Sequence, residues 1–290
     1  MSVFLHEYQP YSGRTTALWS RPLVLARYGL QEAWSSKITI GLFVLSLLPC
    51  LVEMVMIYVA DNPVARMLIV RGDSVLEINE KFFLSVLETQ CWFALVLASW
   101  VAPRLLSFDL GDNALPILLS HPITRFGYLA GKFIAVFVML SYVTWFPCLI
   151  LFVYQSYASP QPWAMSHLGV AIGIFVGSIV WIVLLSLVGL AVSSWVKWRV
   201  IATGAIFAVV FVPAGVGGIA MAILRTKWGL LLNVPVVMTE LWMRLLGVPP
   251  FGNPRLWLPT GAIITVLIAA GLMCIAVLNA RIRAREVVRG

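Results

Sequence analysis

Leu168-Gly-Val-Ala-Ile-Gly-Ile-Phe-Val-Gly-Ser-Ile-Val-Trp-Ile-Val-Leu-Leu-Ser-Leu-Val-Gly-Leu-Ala-Val192 contains no charged residue and no proline. A helix that packs on a soluble core is apolar on one stripe and polar on the other, whereas this run is apolar all round. It also exceeds the ~20 residues that a helix needs to cross the hydrocarbon core of a bilayer. Five further runs are about as long and predominantly apolar, though each holds a charged residue or a proline: Ile38–Ala60, Phe82–Val101, Leu129–Tyr154, Val200–Leu224 and Leu258–Asn279. Inside lipid each backbone N–H and C=O has to find its partner within the segment, so such runs are helices. The fold class expected is an all-α integral membrane protein with six transmembrane helices in one domain covering 1–290. The spans fall at 38–60, 82–101, 129–154, 168–192, 200–224 and 258–279.

Composition agrees. Of the 290 residues 61% are hydrophobic and 11% charged, against about 25% charged in a soluble domain. The mean hydropathy is +0.96. A net charge of +8 would point a soluble protein towards nucleic acid. In a membrane chain it reflects basic loops facing anionic lipid, so membrane lipid and not nucleic acid is the partner expected. Residues 1–37 show no early apolar core with a small-residue cleavage site, so no cleavable signal is read there. Cys50, Cys91, Cys148 and Cys274 lie within apolar runs and form no C-x-x-C pair, which gives neither a disulfide framework nor a zinc site.

Orientation follows from lysine and arginine. The N-terminal segment, the second and fourth connections and the tail together hold 13 of them, and the opposite connections hold 7. The richer side is expected to be cytoplasmic, with both termini there. A seventh span over Trp228–Val248 would put the tail arginines outside. That stretch also carries Asn233, Pro235, Glu240 and Arg244. Val237, Leu241, Leu245 and Val248 recur at helical spacing with Glu240 and Arg244 opposite, so 225–257 reads as an outer re-entrant or interfacial region. Pro213-Ala-Gly-Val-Gly-Gly218 is expected to break the fifth span near its outer half. Residues 15–37 read as an amphipathic helix along the cytoplasmic surface, with a short soluble helix as the alternative. Trp19, Leu23, Ala26, Leu30 and Trp34 fall on one face of it, with tryptophans at headgroup level.

The connection between the second and third spans, Pro103-Arg-Leu-Leu-Ser-Phe-Asp-Leu-Gly-Asp-Asn-Ala-Leu-Pro-Ile-Leu-Leu-Ser-His-Pro-Ile-Thr-Arg-Phe-Gly-Tyr-Leu-Ala-Gly-Lys132, is too apolar for a mere loop. Asp112 or Asn113 can cap a short helix there, and His121-Pro122 ends it because the residue before proline avoids the helical region. Leu115, Leu118 and Leu119 then form an exposed apolar knob, which needs something to dock into or lies on the bilayer.

In this segment the chain resembles the permease subunits of ABC-2 type transporters. Asp109, Leu115, Leu118, Leu119, Ser120, Pro122, Arg125, Gly131 and Lys132 match the family pattern. Asn113 and Ala114 stand where Gly-Thr is frequent, and Asp109 where Glu is usual. The order of surface helix, six spans, coupling loop at 104–128 and re-entrant region before the last span also matches.

The resemblance implies that the loop contains a coupling helix fitting a cleft on a separate cytoplasmic ATPase. Asp109, Asp112, Leu115, Leu118, Leu119, His121, Pro122, Arg125 and Lys132 are its contact residues. It further implies two ATPase copies holding ATP and Mg, a second permease copy or paralogue, and a bacterial or archaeal inner membrane. The function expected is that of a permease subunit, with export as the direction. A secondary transporter and a non-transporting membrane subunit are the alternatives.

No catalytic residue is identified. Gly127-Tyr-Leu-Ala-Gly131-Lys132-Phe133 is one residue short of a phosphate-binding loop and has Phe after the Lys, so the motor is expected in another chain. His6, His121 and His167 form no H-E-x-x-H, and no serine sits in G-x-S-x-G. Cys50, Met54, Met56 and Cys91 share a level, but methionine in a span is usually packing, so no metal is assigned. Glu53 and Glu88 are carboxylates inside the first and second spans at similar depth. Intramembrane carboxylates are costly and mark a pathway, a water cavity or a partner. They either line the translocation route or hydrogen-bond between helices or to the re-entrant segment.

Overall fold

The computed structural model describes residues 17, 19–62, 64–65, 77–111, 124–159, 163–196, 198–249 and 257–284, with the side chains of 108–111 and 282–284 left aside. Every regular element among them is helical: α1 (Ser20–Trp34), α2 (Lys37–Asp61), α3 (Glu80–Gly111), α4 (Arg125–Ser141), α5 (Trp145–Ala158), the single turn α6 (Trp163–Ser166), α7 (Leu168–Trp195), α8 (Arg199–Leu224), a 3-10 segment (Lys227–Leu232), α9 (Val234–Leu246) and α10 (Thr260–Ala284). Six stretches are long and apolar enough to cross a membrane: Lys37–Asp61, Glu80–Ser107, Arg125–Ala158, Leu168–Trp195, Arg199–Leu224 and Thr260–Arg281. The chain therefore has the architecture of a multi-pass membrane protein, with its spans where the apolar runs place them. α9, at 13 residues, reaches about 20 Å at ~1.5 Å per residue, too short to cross a bilayer.

α7 is the axis of the bundle. Its apolar windows and those of α3 and α4–α5 are at least half buried against protein, while only 17% of the windows in α2, α8 and α10 is buried. The hydrophobic effect does not hold helices together in lipid. Close backbone approach and interhelical hydrogen bonds do. Gly189 of α7 meets α3 so closely that a Cβ there would lie 2.7 Å from Ala102 Cβ. Ser107 Oγ donates to the carbonyls of Ser193 and Val196 at 3.2 and 3.1 Å. Trp181 Nε1 donates to Cys91 O at 3.0 Å, and Thr203 Oγ1 to Ser99 O at 2.9 Å. On the other side of α7, Gly173 and Gly177 seat α9: a Cβ on Gly173 would lie 2.6 Å from Leu245 O, and one on Gly177 2.6 Å from Trp242 Cδ1.

The expected helix break is corrected. α8 runs unbroken through Pro213. Of the glycines after it, Gly217 serves contact, since a Cβ there would lie 2.3 Å from Gly229 O and the 3-10 segment folds back onto α8, while Gly215 and Gly218 have nothing within 4 Å. The interruption falls in the third span instead, between α4 and α5 at Tyr142–Thr144. Pro147 explains it, since its ring crowds the carbonyl of Val143 and supplies no donor in return. The end of α4 closes on the Leu140 carbonyl, which accepts from Val143 N at 3.1 Å, Thr144 N at 3.0 Å and Thr144 Oγ1 at 2.9 Å.

Glu240 is a second correction. It lies on α9 but not on a solvated face, being only 9% exposed. Its Oε2 accepts from Leu258 N at 3.2 Å and from Arg244 Nη2 at 3.2 Å, and Arg244 Nη1 donates to Thr260 Oγ1 at 2.7 Å. Arg244 Nη2 also donates to Leu258 O. This cluster fastens the end of α9 to the start of α10.

Candidate functional site

Two places merit attention, one at each end of the bundle. At the α1 end, α3 continues four residues beyond its apolar stretch to Gly111, and α4 begins at Arg125. These are the stems of the 112–123 connection. Thr124 caps α4, its side chain accepting from Gly127 N at 3.0 Å. α1 lies across both stems through a stripe of small residues, Ala26, Gly29 and Ala33, all buried. A Cβ on Gly29 would stand 3.1 Å from Ala135 Cβ of α4 and 3.5 Å from Leu105 of α3. A Cβ on Gly131 of α4 would stand 2.7 Å from Leu25 Cβ and 2.9 Å from Pro22 O. Arg104 Nη2 of α3 donates to Ser35 Oγ at the end of α1, 3.2 Å away.

The single apolar face expected for α1 is thus divided. Ala26 turns to protein, while Trp19 and Leu23 are exposed along with Val24.

Of the coupling residues expected from the sequence, Asp112, Leu115, Leu118, Leu119, His121 and Pro122 lie outside the described residues. Asp109 is within the last turns of α3, its side chain outside the description. Arg125 opens α4 and is half-buried. Lys132 is buried about two turns further in, its Nζ 5.8 Å from the centroid of the Tyr128 ring.

The second place lies towards the far end. Glu53 and Glu88 each stand eight residues from the far ends of their helices, at Asp61 and Glu80, which is about 12 Å of depth. They do not share a site. α2 meets α3 through Cys50 and Gln90, with Gln90 Nε2 2.8 Å from Cys50 Sγ. Glu88, two residues before Gln90, points about 200° away around the helix. Glu53 is half-buried on α2, and its Oε2 has no hydrogen-bond partner among the described residues.

Glu88 lines a half-open cleft of about 20 Å³ with Cys91, Trp92, Trp181, Pro235, Thr239 and Trp242. Three helices build it: α3 gives the carboxylate and Trp92, α7 gives Trp181, and α9 gives Thr239 and Trp242. Trp181 and Trp242 stand edge to face with centroids 6.0 Å apart. Trp92 stacks on Phe211 of α8 at 5.9 Å. Trp242 Nε1 donates to Gly177 O at 3.2 Å, so the glycine that seats the indole also fixes its rotation.

The sequence reading singled out Glu88 but not the three tryptophans. Gly173 and Gly177, spaced as small-x-x-x-small, were the signal that another helix packs there. Comparison of the chain with family models and with curated proteins gives no match.

Proposed function

We propose that this chain is the membrane-spanning permease subunit of an ATP-driven exporter of the ABC-2 kind. A separate cytoplasmic ATPase drives it, and a second permease copy or paralogue completes the route. The α1 end is then cytoplasmic, with both termini there, in a bacterial or archaeal inner membrane. α1 lies at the inner headgroup level with Trp19 and Leu23 towards lipid, and α9 re-enters the bilayer from the outer side.

The observation that carries this reading is the convergence of α1, α3 and α4 on the two stems of the 112–123 connection. A motor outside the membrane moves spans only through contacts without slack. Gly29 against Ala135 and Gly131 against Leu25 leave little or no room for a methyl group, so a push on the connection displaces α4 and α1 together, and Leu105 and the Arg104–Ser35 hydrogen bond tie α3 to them. The leucines of the connection supply the apolar knob that such a motor grips, with Asp109 and Arg125 as polar anchors on the stems.

The test is purification from native membranes in mild detergent, with identification of what accompanies the chain. A stoichiometric ATPase is expected, with hydrolysis lost on Leu118→Glu together with Leu119→Glu while the permease stays monodisperse. Recovery of the chain without any ATPase, under conditions that keep other membrane complexes intact, would transfer the reading to a secondary transporter or a structural membrane subunit.

A further inference from the structure

Glu88 poses a problem that the packing leaves open. A carboxylate within a span needs a partner of opposite charge or a proton. Among the described residues, those lining its cleft, Cys91, Trp92, Trp181, Pro235, Thr239 and Trp242, include no lysine, arginine or histidine. The hydrogens of two of the three indoles are already committed, Trp181 Nε1 to Cys91 O and Trp242 Nε1 to Gly177 O. Those rings offer the cleft π surface and no donor. Besides them stand the Trp92 indole, the Thr239 hydroxyl, which accepts as well as donates, and a carboxylate, whose negative charge repels anions. An ammonium group brings three donors and a positive charge. Cations bind against carboxylates and against indole faces within about 6 Å of the ring centroid.

Size narrows the choice. A cleft of about 20 Å³ holds one water-sized group. A primary ammonium is of that size; a trimethylammonium head is several times bulkier. The cleft is half-open, and Trp92, 45% exposed, leads from it to the outside of the bundle. An apolar chain attached to the ammonium has an aromatic wall to follow, Trp92 and the Phe211 ring stacked on it.

We propose that the cleft between α3, α7 and α9 binds the protonated primary amine of an amphipathic molecule, the ammonium held by Glu88, Thr239 and the indoles of Trp181 and Trp242. The proposal rests on the transporter reading for calling that molecule the cargo, but the binding itself does not require an ATPase.

The full chain is therefore titrated calorimetrically in an uncharged detergent with dodecylamine, dodecyltrimethylammonium and dodecanol. The three share a tail and partition into micelles, so subtraction of Glu88→Gln isolates the cleft. Saturable binding of dodecylamine is expected, at least about tenfold weaker in Glu88→Gln, as loss of a charged hydrogen bond implies. Glu88→Asp should retain part of it, and dodecyltrimethylammonium and dodecanol should show no difference between wild type and Glu88→Gln. Thermal unfolding and monodispersity establish that both variants fold. Equal dodecylamine binding by wild type and Glu88→Gln overturns the site, and dodecyltrimethylammonium binding as tightly as the amine overturns the assignment to a primary ammonium. An associated ATPase without amine binding leaves the transporter reading standing and removes this one. Amine binding without an ATPase does the reverse.

Discussion

Gly131 and Gly204 are both helical glycines in apolar helices, and replacing each by alanine should have opposite consequences. A Cβ on Gly131 meets Leu25 Cβ at 2.7 Å and the Pro22 carbonyl at 2.9 Å, and the second of these is backbone that cannot swing aside. Gly131→Ala should push α1 off α4 and lower stability by about 1–3 kcal/mol, the usual cost of overpacking. Around Gly204 nothing lies within 4 Å. Gly204→Ala should leave stability unchanged or raise it by up to ~1 kcal/mol through helix propensity. Thermal unfolding in detergent separates the two, and equal effects would contradict the α1–α4 contact. The sequence displays all these glycines alike. What distinguishes Gly131 is Pro22 and Leu25, more than a hundred positions away, and no local spacing encodes that meeting. Glu88 was legible because a lone carboxylate in an apolar run is conspicuous. Its tryptophan neighbours were not, because tryptophans are common in spans and at membrane interfaces whatever they face.

The elements show where pattern reading works and where it stops. Run length and scarcity of charge located all six spans, since in lipid the backbone has to be helical across each run. Proline was the misleading sign. Pro213 looked like a break and Pro147 did not, yet α8 continues through the first and the third span is interrupted just before the second. A proline costs one donor in either place, and the cost depends on whether a neighbour holds the chain. The 3-10 segment braces α8 at Gly217, and Thr144 closes α4 through Leu140 O.

Glu240 shows the same dependence on a distant partner. Helical spacing set it opposite the apolar face, but the Leu258 amide draws it inside. Glu240→Ala should leave that buried amide and Arg244 without their acceptor and lower stability by about 1–3 kcal/mol. Glu240→Gln, which keeps an acceptor oxygen, should lose less. Thermal unfolding of the two variants checks the order, and a Glu240→Ala protein as stable as wild type would mean that the cluster does not fasten α9 to α10.

At the scale of the whole molecule the bundle has two unlike ends, and the transporter reading assigns them to opposite sides of a membrane. The α1 end carries the exposed Phe126 at the start of α4, and the far end carries the exposed Met165 in α6. The four cysteines, Cys50, Cys91, Cys148 and Cys274, are all buried and unpaired, so they should react little with a bulky, membrane-impermeant maleimide. A cysteine introduced at either exposed position then reports on its own side against a quiet background. In intact cells with a permeabilised outer barrier, Met165→Cys should label from outside, and Phe126→Cys should label only after the inner membrane is opened. The odd number of spans between these positions makes the result discriminating. Residues 125–158 form one crossing between them, so both positions labelling from the same side would remove the third span. Labelling of Phe126→Cys from outside with Met165→Cys protected would invert the molecule. It would put the α1 platform and the 112–123 connection outside, beyond reach of any cytoplasmic ATPase, and with them would go the argument that the stems of α3 and α4 transmit its force.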